Sequence, residues 1–156
     1  MKKILTLCIV HDESRVLLGM KKRGFGMDKW NGFGGKIQDG ETIEQAAVRE
    51  LQEEAGITPL KMEQFGLLNF KFQDGASEEM EVAVFSVTDF DGIPTESEEM
   101  RPAWFLKSEI PYEKMWADDK YWLPLLFAGK KFNGNFEYMD YNIMLSHEVE
   151  ELNQIL

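Results

Sequence analysis

GKIQDGETIEQAAVRELQEEAGI, residues 35–57, is the stretch whose reading decides the fold. Ile43, Ala46, Ala47, Leu51 and Ala55 recur at helical spacing and mark one apolar face. Thr42 followed three residues later by Gln45 has the pattern of a capping box, and Gly56 supplies a C-terminal stop. A helix over 43–55 follows. It carries Glu50, Glu53 and Glu54 on one stripe, because side chains at i, i+3 and i+4 are neighbours. Like charges at that spacing weaken a helix by a few tenths of a kcal/mol. Either the stripe is a solvated surface, the commoner case for a Glu-rich face, or the chain needs the charge. Three carboxylates on a rigid face offer the hard oxygen ligands that Mg²⁺ takes together with phosphate and water.

Upstream lies GFGMDKWNGFGGK (24–36), a loop with five glycines between positions 24 and 35, which allows backbone to approach a phosphate chain closely. Before it, KILTLCIV (3–10) and RVLLGMKKR (15–23) read as strands of a hairpin around the turn-prone HDES. Downstream, LLNFKFQ and EMEVAVFSV alternate apolar and polar residues about DGASE, the pattern of a second hairpin. DFDGIPTESEEM is an acidic loop and RPAWFLKSEI a short strand. YWLPLLFAGKKF (121–132) reads as a second helix, with Pro124 expected to confine regular α structure to its own first turn and beyond. FEYMDYNIML (136–145) is expected as the final strand. The fold class is α+β, with a mixed β-sheet and two helices in one domain over 1–156.

The 156 residues carry 28 acidic against 17 basic side chains, a formal charge of -11. That field repels nucleic-acid polymers and anionic membranes, and the basic runs, Lys21-Lys22-Arg23 the most prominent, are short. A small phosphate compound is still compatible where divalent cations reverse the local field. The single cysteine, Cys8, forms no internal disulfide and reads as an inward strand residue. No segment approaches the roughly 18 apolar residues of a membrane span. The MKKILTLCIV start reads as a strand rather than a signal peptide, since charge follows its short apolar run. The expectation is a cytoplasmic, reducing home and a monomer.

Residues 35–57 match the Nudix box, G-x5-E-x7-R-E-U-x-E-E-x-G-U with U apolar, at Gly35, Glu41, Arg49, Glu50, Leu51, Glu53, Glu54, Gly56 and Ile57. The chain therefore resembles the Nudix hydrolases. The resemblance implies an α/β/α sandwich and Mg²⁺-dependent hydrolysis of a nucleoside diphosphate linked to another moiety, with Mn²⁺ as a substitute ion. It implies that Glu50, Glu53 and Glu54 ligate metal with the help of a loop carbonyl, that of Gly34. It further implies that Arg49 orients a glutamate and that Glu41 braces the loop against the helix.

Outside the box, LLGMKKRGFG, WNGFGGK, ESEEMRPAWF and MWADDKYWLPLL resemble the MutT-type members of the family that hydrolyse 8-oxo-dGTP and 2-hydroxy-dATP to the monophosphate and pyrophosphate. By that resemblance Thr6, Phe25, Asn31, Phe70, Phe72, Met80, Trp116, Asp118 and Asp119 form the base pocket. Lys21 and the loop Phe33, Gly34, Gly35 and Lys36 lie towards sugar and phosphates, and Glu99 is a further metal or catalytic glutamate. Glu54 and Glu99 are both candidates for the base. Ala117 departs from the proline of those relatives, which could loosen the loop without removing a contact. Two carboxylates held close do not both ionise easily, so such a pair both donates and accepts. Read without the resemblance, Asp118 or Asp119 is a helix N-cap and Phe70 with Phe72 core packing. The alternatives are hydrolysis of an O6-alkylated purine triphosphate and a nucleotide-binding module without catalysis.

Overall fold

Strand β1 (Lys2–His11) is apolar almost throughout because both of its faces are buried. Cys8 and Val10 enter one core and Ile9 the other. The same alternation runs through β2 (Arg15–Lys21) and β5 (Glu79–Asp91): Leu17, Ala83, Phe85 and Val87 face one side, and Val16, Leu18, Val82 and Val84 the other. The first side is covered by α1 (Ile43–Ala55), through Ala47, Leu51 and Ala55. The second is covered by α2 (Asp119–Phe127), through Trp122, Leu123 and Leu126. A mixed sheet between two helices is the α/β/α sandwich the sequence implied. The computed structural model describes residues 2–152, so the expected single domain over 1–156 extends past the described residues at both ends.

The remaining strands are β3 (Trp30–Asn31), β4 (Thr58–Phe72), β6 (Met100–Leu106), β7 (Lys131–Asp140) and β8 (Ile143–Leu152). They run in the order β3-β2-β1-β5-β4-β7-β8, with β6 paired to β2. The β1·β5 and β4·β7 pairings are parallel and the others antiparallel. Helix α1 begins at the capping box expected of it: the Thr42 side chain accepts from the Gln45 N–H at 3.1 Å, and Gln45 accepts from the Thr42 N–H at 2.9 Å. Gly56 ends it at φ 71°, a left-handed conformation that costs glycine nothing.

Three expectations are corrected. Helix α2 begins at Asp119, five residues before Pro124, and stops at Phe127, while Lys131 and Phe132 already open β7. Burial of Trp122, Leu123 and Leu126 outweighs the backbone hydrogen bond that proline forfeits. The final strand over 136–145 is instead a hairpin, because Asp140 accepts the Asn142 N–H at 2.8 Å and turns the chain between β7 and β8. Strand β4 starts at Thr58, well before residue 67, and register shifts near Pro59 and before Gly66 mask its early alternation.

Candidate active site

The glutamate stripe of α1 faces the glycine loop, and Arg49 ties the two together. Its guanidinium donates to Glu41 through Nε at 2.6 Å and Nη2 at 2.9 Å, a two-pronged grip that suits a planar carboxylate. Its Nη1 reaches Glu50 at 2.8 Å and Glu53 at 3.2 Å, and its Nη2 reaches the Lys36 carbonyl at 3.3 Å. Glu41 also accepts the Gln38 N–H at 2.8 Å, so it joins loop and helix. The Arg49 side chain answers the repulsion that the sequence left open.

The loop itself lies along β1. Thr6 N–H donates to the Gly35 carbonyl at 2.9 Å, and Cys8 and Phe33 exchange backbone hydrogen bonds at 2.6 and 3.0 Å. Gly34, between these two attachments, donates its N–H to Glu54 Oε1 at 2.9 Å. A Cβ on Gly34 would stand 1.8 Å from the Thr6 carbonyl oxygen, so only glycine fits. Gly34→Ala must therefore lift the loop from β1. Chemical unfolding is expected to show a loss of about 2 kcal/mol or more. An unchanged unfolding curve would mean that the loop leaves β1 without cost.

Glu54 is 4% exposed, and burial pushes its carboxyl up to about 8, against the Gly34 hydrogen bond that favours the ionised form. Glu50 and Glu99 add to the rise and Lys21 opposes it. Lys21 Nζ lies 2.9 Å from Glu99, whose carboxyl is held below the usual range by that contact and by Arg23. Lys21, Gly34, Gly35, Glu50, Glu53, Glu54 and Glu99 line one acidic recess. Among the described residues no three such side chains are already drawn together at ligating separation, since Arg49 engages Glu50 and Glu53 while Gly34 engages Glu54. The donor chemistry nevertheless fits a hard divalent cation: carboxylate oxygens, and a Gly34 carbonyl that accepts none of the backbone hydrogen bonds among the described residues. A cation would also offset the cost of ionising buried Glu54.

Lys21, Gly34, Gly35 and Glu54 also border a second cleft, of about 220 Å³. Thr6, Phe25, Asn31, Phe70, Met80, Trp116, Asp118 and Asp119 line it. Phe25 and Trp116 lie 5.2 Å apart between ring centres in its wall, offering flat apolar surface to a purine. Asn31 uses its carbonyl oxygen to accept the Gly32 N–H at 2.8 Å, which leaves its amide protons to donate. Three residues fall outside the lining. Phe33 is fully buried beneath α1, Lys36 lies on the Arg49 side of the loop, and Phe72 stands behind Phe25 at 6.2 Å. Leu5, Leu7, Leu68, Val82 and Trp122 also form its walls and were not singled out by sequence, because nothing distinguishes a wall residue from core.

Asp118 and Asp119, 2% and 3% exposed, line this cleft. Asp118 precedes α2 but makes no capping hydrogen bond. It accepts instead from Trp122 Nε1 at 2.8 Å and from the Tyr138 hydroxyl at 2.5 Å. Burial raises both carboxyls, Asp119 further because the Asp118 charge faces it. Among the described residues three buried side-chain polar atoms lack a partner, and two of them, Thr6 Oγ1 and Asp119 Oδ2, belong to residues lining this one cleft. Buried orphans of that kind mark where a ligand's polar edge goes.

A model of the NUDIX domain matches residues 1–126. The chain is 49% identical over 153 residues to the oxidized purine nucleoside triphosphate hydrolase of Danio rerio, covering 98% of this chain and 97% of that one. It is 50% identical over 150 residues to the Mus musculus protein of the same name, covering 96% of each. Among solved structures, a MutT protein from Bacillus halodurans superposes with a TM-score of 0.85 at 30% identity, over 95% of this chain and 97% of that one.

Proposed function

This chain belongs to the NUDIX domain family, and on that premise we propose that it hydrolyses oxidised purine nucleoside triphosphates, 8-oxo-dGTP and 2-hydroxy-dATP among them, to the monophosphate and pyrophosphate. The observation that carries the reading is the buried Asp118–Asp119 pair in an aromatic cleft that runs into the acidic recess of α1. A purine laid on the aromatic surface that Trp116 and Phe25 form turns its polar edge to Asp119 and Asn31, and a further polar atom to Thr6. Its triphosphate then runs past Lys21 and Gly34 towards the glutamates.

Nudix hydrolases generally use a divalent metal, and we assign Mg²⁺, replaceable by Mn²⁺, to Glu50, Glu53, Glu54, Glu99 and the Gly34 carbonyl. Bound there, the ion polarises phosphate oxygens and neutralises their charge. Arg49 keeps Glu50 and Glu53 aligned while Glu41 anchors Arg49 to the loop. Glu54, fixed by the Gly34 N–H, orients the attacking water and takes its proton. Glu99 holds the Lys21 ammonium beside the phosphate path. The substrate is a small molecule, so a monomer in the cytoplasm suffices, and neither a nucleic-acid polymer nor a membrane is called for. Among the described residues no helix is long and apolar enough to cross a membrane.

The test is pyrophosphate release from 8-oxo-dGTP beside dGTP at equal low concentration, with Mg²⁺ and again with EDTA. Release that needs metal and strongly favours the oxidised nucleotide is the expected result. Equal or absent turnover of the two would remove the substrate assignment.

A further inference from the structure

Tyr138 on β7 is fully buried, and its hydroxyl is committed to one partner residue. The phenol oxygen accepts the Asp118 N–H at 3.1 Å, and the phenol proton goes to Asp118 Oδ1 at 2.5 Å. The other oxygen of Asp118 faces Trp122 Nε1 at 2.8 Å, and an indole N–H only donates. Asp118 therefore meets a donor at each oxygen, and a proton placed on it would displace one of them. Asp119 has the opposite surroundings: its Oδ2 is buried, without a protein partner, at the cleft.

We propose that Tyr138, seconded by Trp122, fixes Asp118 as the ionised member of the pair, so that the single shared proton resides on Asp119 and the cleft presents a neutral carboxylic acid to the purine. The proposal rests on the oxidised-purine reading of the site and adds to it a source of selectivity. A neutral acid donates through its hydroxyl and accepts through its carbonyl. The Watson–Crick edge of 8-oxoguanine sets the acceptor O6 beside the donor N1–H, which one neutral acid matches. The 2-keto form of 2-hydroxyadenine sets two donors side by side, which an ionised carboxylate matches better. Tyr138 thus biases the pocket towards the 6-keto purine.

One further group acts on the pair by charge: Lys29 favours ionisation of Asp119. The Tyr112 phenol is itself raised by burial and by the Asp119 charge. Neither donates a hydrogen bond to either aspartate among the described residues, so the placement of the proton falls to Tyr138 and Trp122.

Tyr138→Phe keeps the ring against Phe70, Phe72 and Trp116 and deletes only the hydroxyl. One hydrogen bond to a charged acceptor is worth a factor of about 10 to 100 in the equilibrium it biases. The ratio of kcat/KM for 8-oxo-dGTP over 2-hydroxy-dATP is expected to fall about tenfold. Uptake of the pair's second proton, followed by carboxyl NMR on the protein without substrate, is expected about one pH unit higher, the equivalent of that factor. Loss of ring packing alone would move neither quantity.

Wild-type protein that turns over neither nucleotide would overturn the oxidised-purine reading itself. Wild-type turnover with ratio and titration both unchanged in Tyr138→Phe would overturn only the role of the phenol. Should that variant fail to fold, site-specific 3-fluorotyrosine at 138 supplies a stronger donor of nearly the same shape. It is expected to raise the ratio, and an unchanged or lowered ratio would overturn the proposal.

Discussion

Glu54→Gln is expected to lower kcat by about 10³-fold while leaving KM for the nucleotide within a fewfold of wild type. Gln retains the oxygen that accepts the Gly34 N–H, so the loop stays attached to α1. What it loses is the capacity to take a proton from water and one anionic oxygen for the cation. The same change is expected to stabilise the metal-free protein at alkaline pH. Burial raises the folded Glu54 carboxyl from 4.5 to about 8. The stability associated with its neutral form is fully present below pH 4.5 and is lost as pH rises through about 8. A neutral Gln escapes that loss, so melting curves in EDTA should coincide near pH 4 and separate in favour of Glu54→Gln by pH 8.5. Saturating Mg²⁺ should reverse the order, because only wild type gains the full ligand set. Near-normal kcat in Glu54→Gln would transfer the role of base to Glu99.

The stripe that this experiment probes was legible in sequence because helical spacing fixes which side chains are neighbours. Thr42, Gln45 and Gly56 bounded α1 correctly for the same reason: caps are local, and their residue types are few. The ends of β4 and α2 were not legible, since Pro59 and Pro124 argue locally against regular structure that burial elsewhere sustains. The β7–β8 turn was hidden inside FEYMDYNIML because the apolar and aromatic residues on both sides of the local Asp140–Asn142 turn read together as one strand. The acid pair shows the limit most clearly. Adjacent aspartates before a helix have the composition of a cap, and only the packing of β7 on α2 turns Asp118 towards Tyr138 and Trp122. Tyr138 lies 20 residues further along the chain, so no spacing rule could join it to Asp118.

Asp119→Ala is expected to reduce kcat/KM for 8-oxo-dGTP on the order of 10²-fold, with most of the loss in KM, because it removes the acid whose buried Oδ2 has no protein partner at the cleft. The amide variants separate the two aspartates. Asp119→Asn still offers a donor and an acceptor to the cleft and should keep most of the activity that Asp119→Ala loses. It also removes a buried group whose carboxyl is raised well above 3.8. The stability tied to the neutral form of Asp119 is complete below pH 3.8 and declines as pH rises towards and through the raised folded value. Asp119→Asn should therefore melt at or above wild type, with the gap widening as pH increases. Asp118→Asn meets the opposite surroundings. Its oxygen can face only one of Trp122 and Tyr138, and its NH₂ then confronts the remaining donor. A buried donor left without an acceptor costs about 1–3 kcal/mol, so this variant should unfold earlier at every pH and lose activity with it. Equal behaviour of the two amide variants in kcat/KM and in melting would mean that the two carboxyls are interchangeable, which their unequal hydrogen bonding argues against.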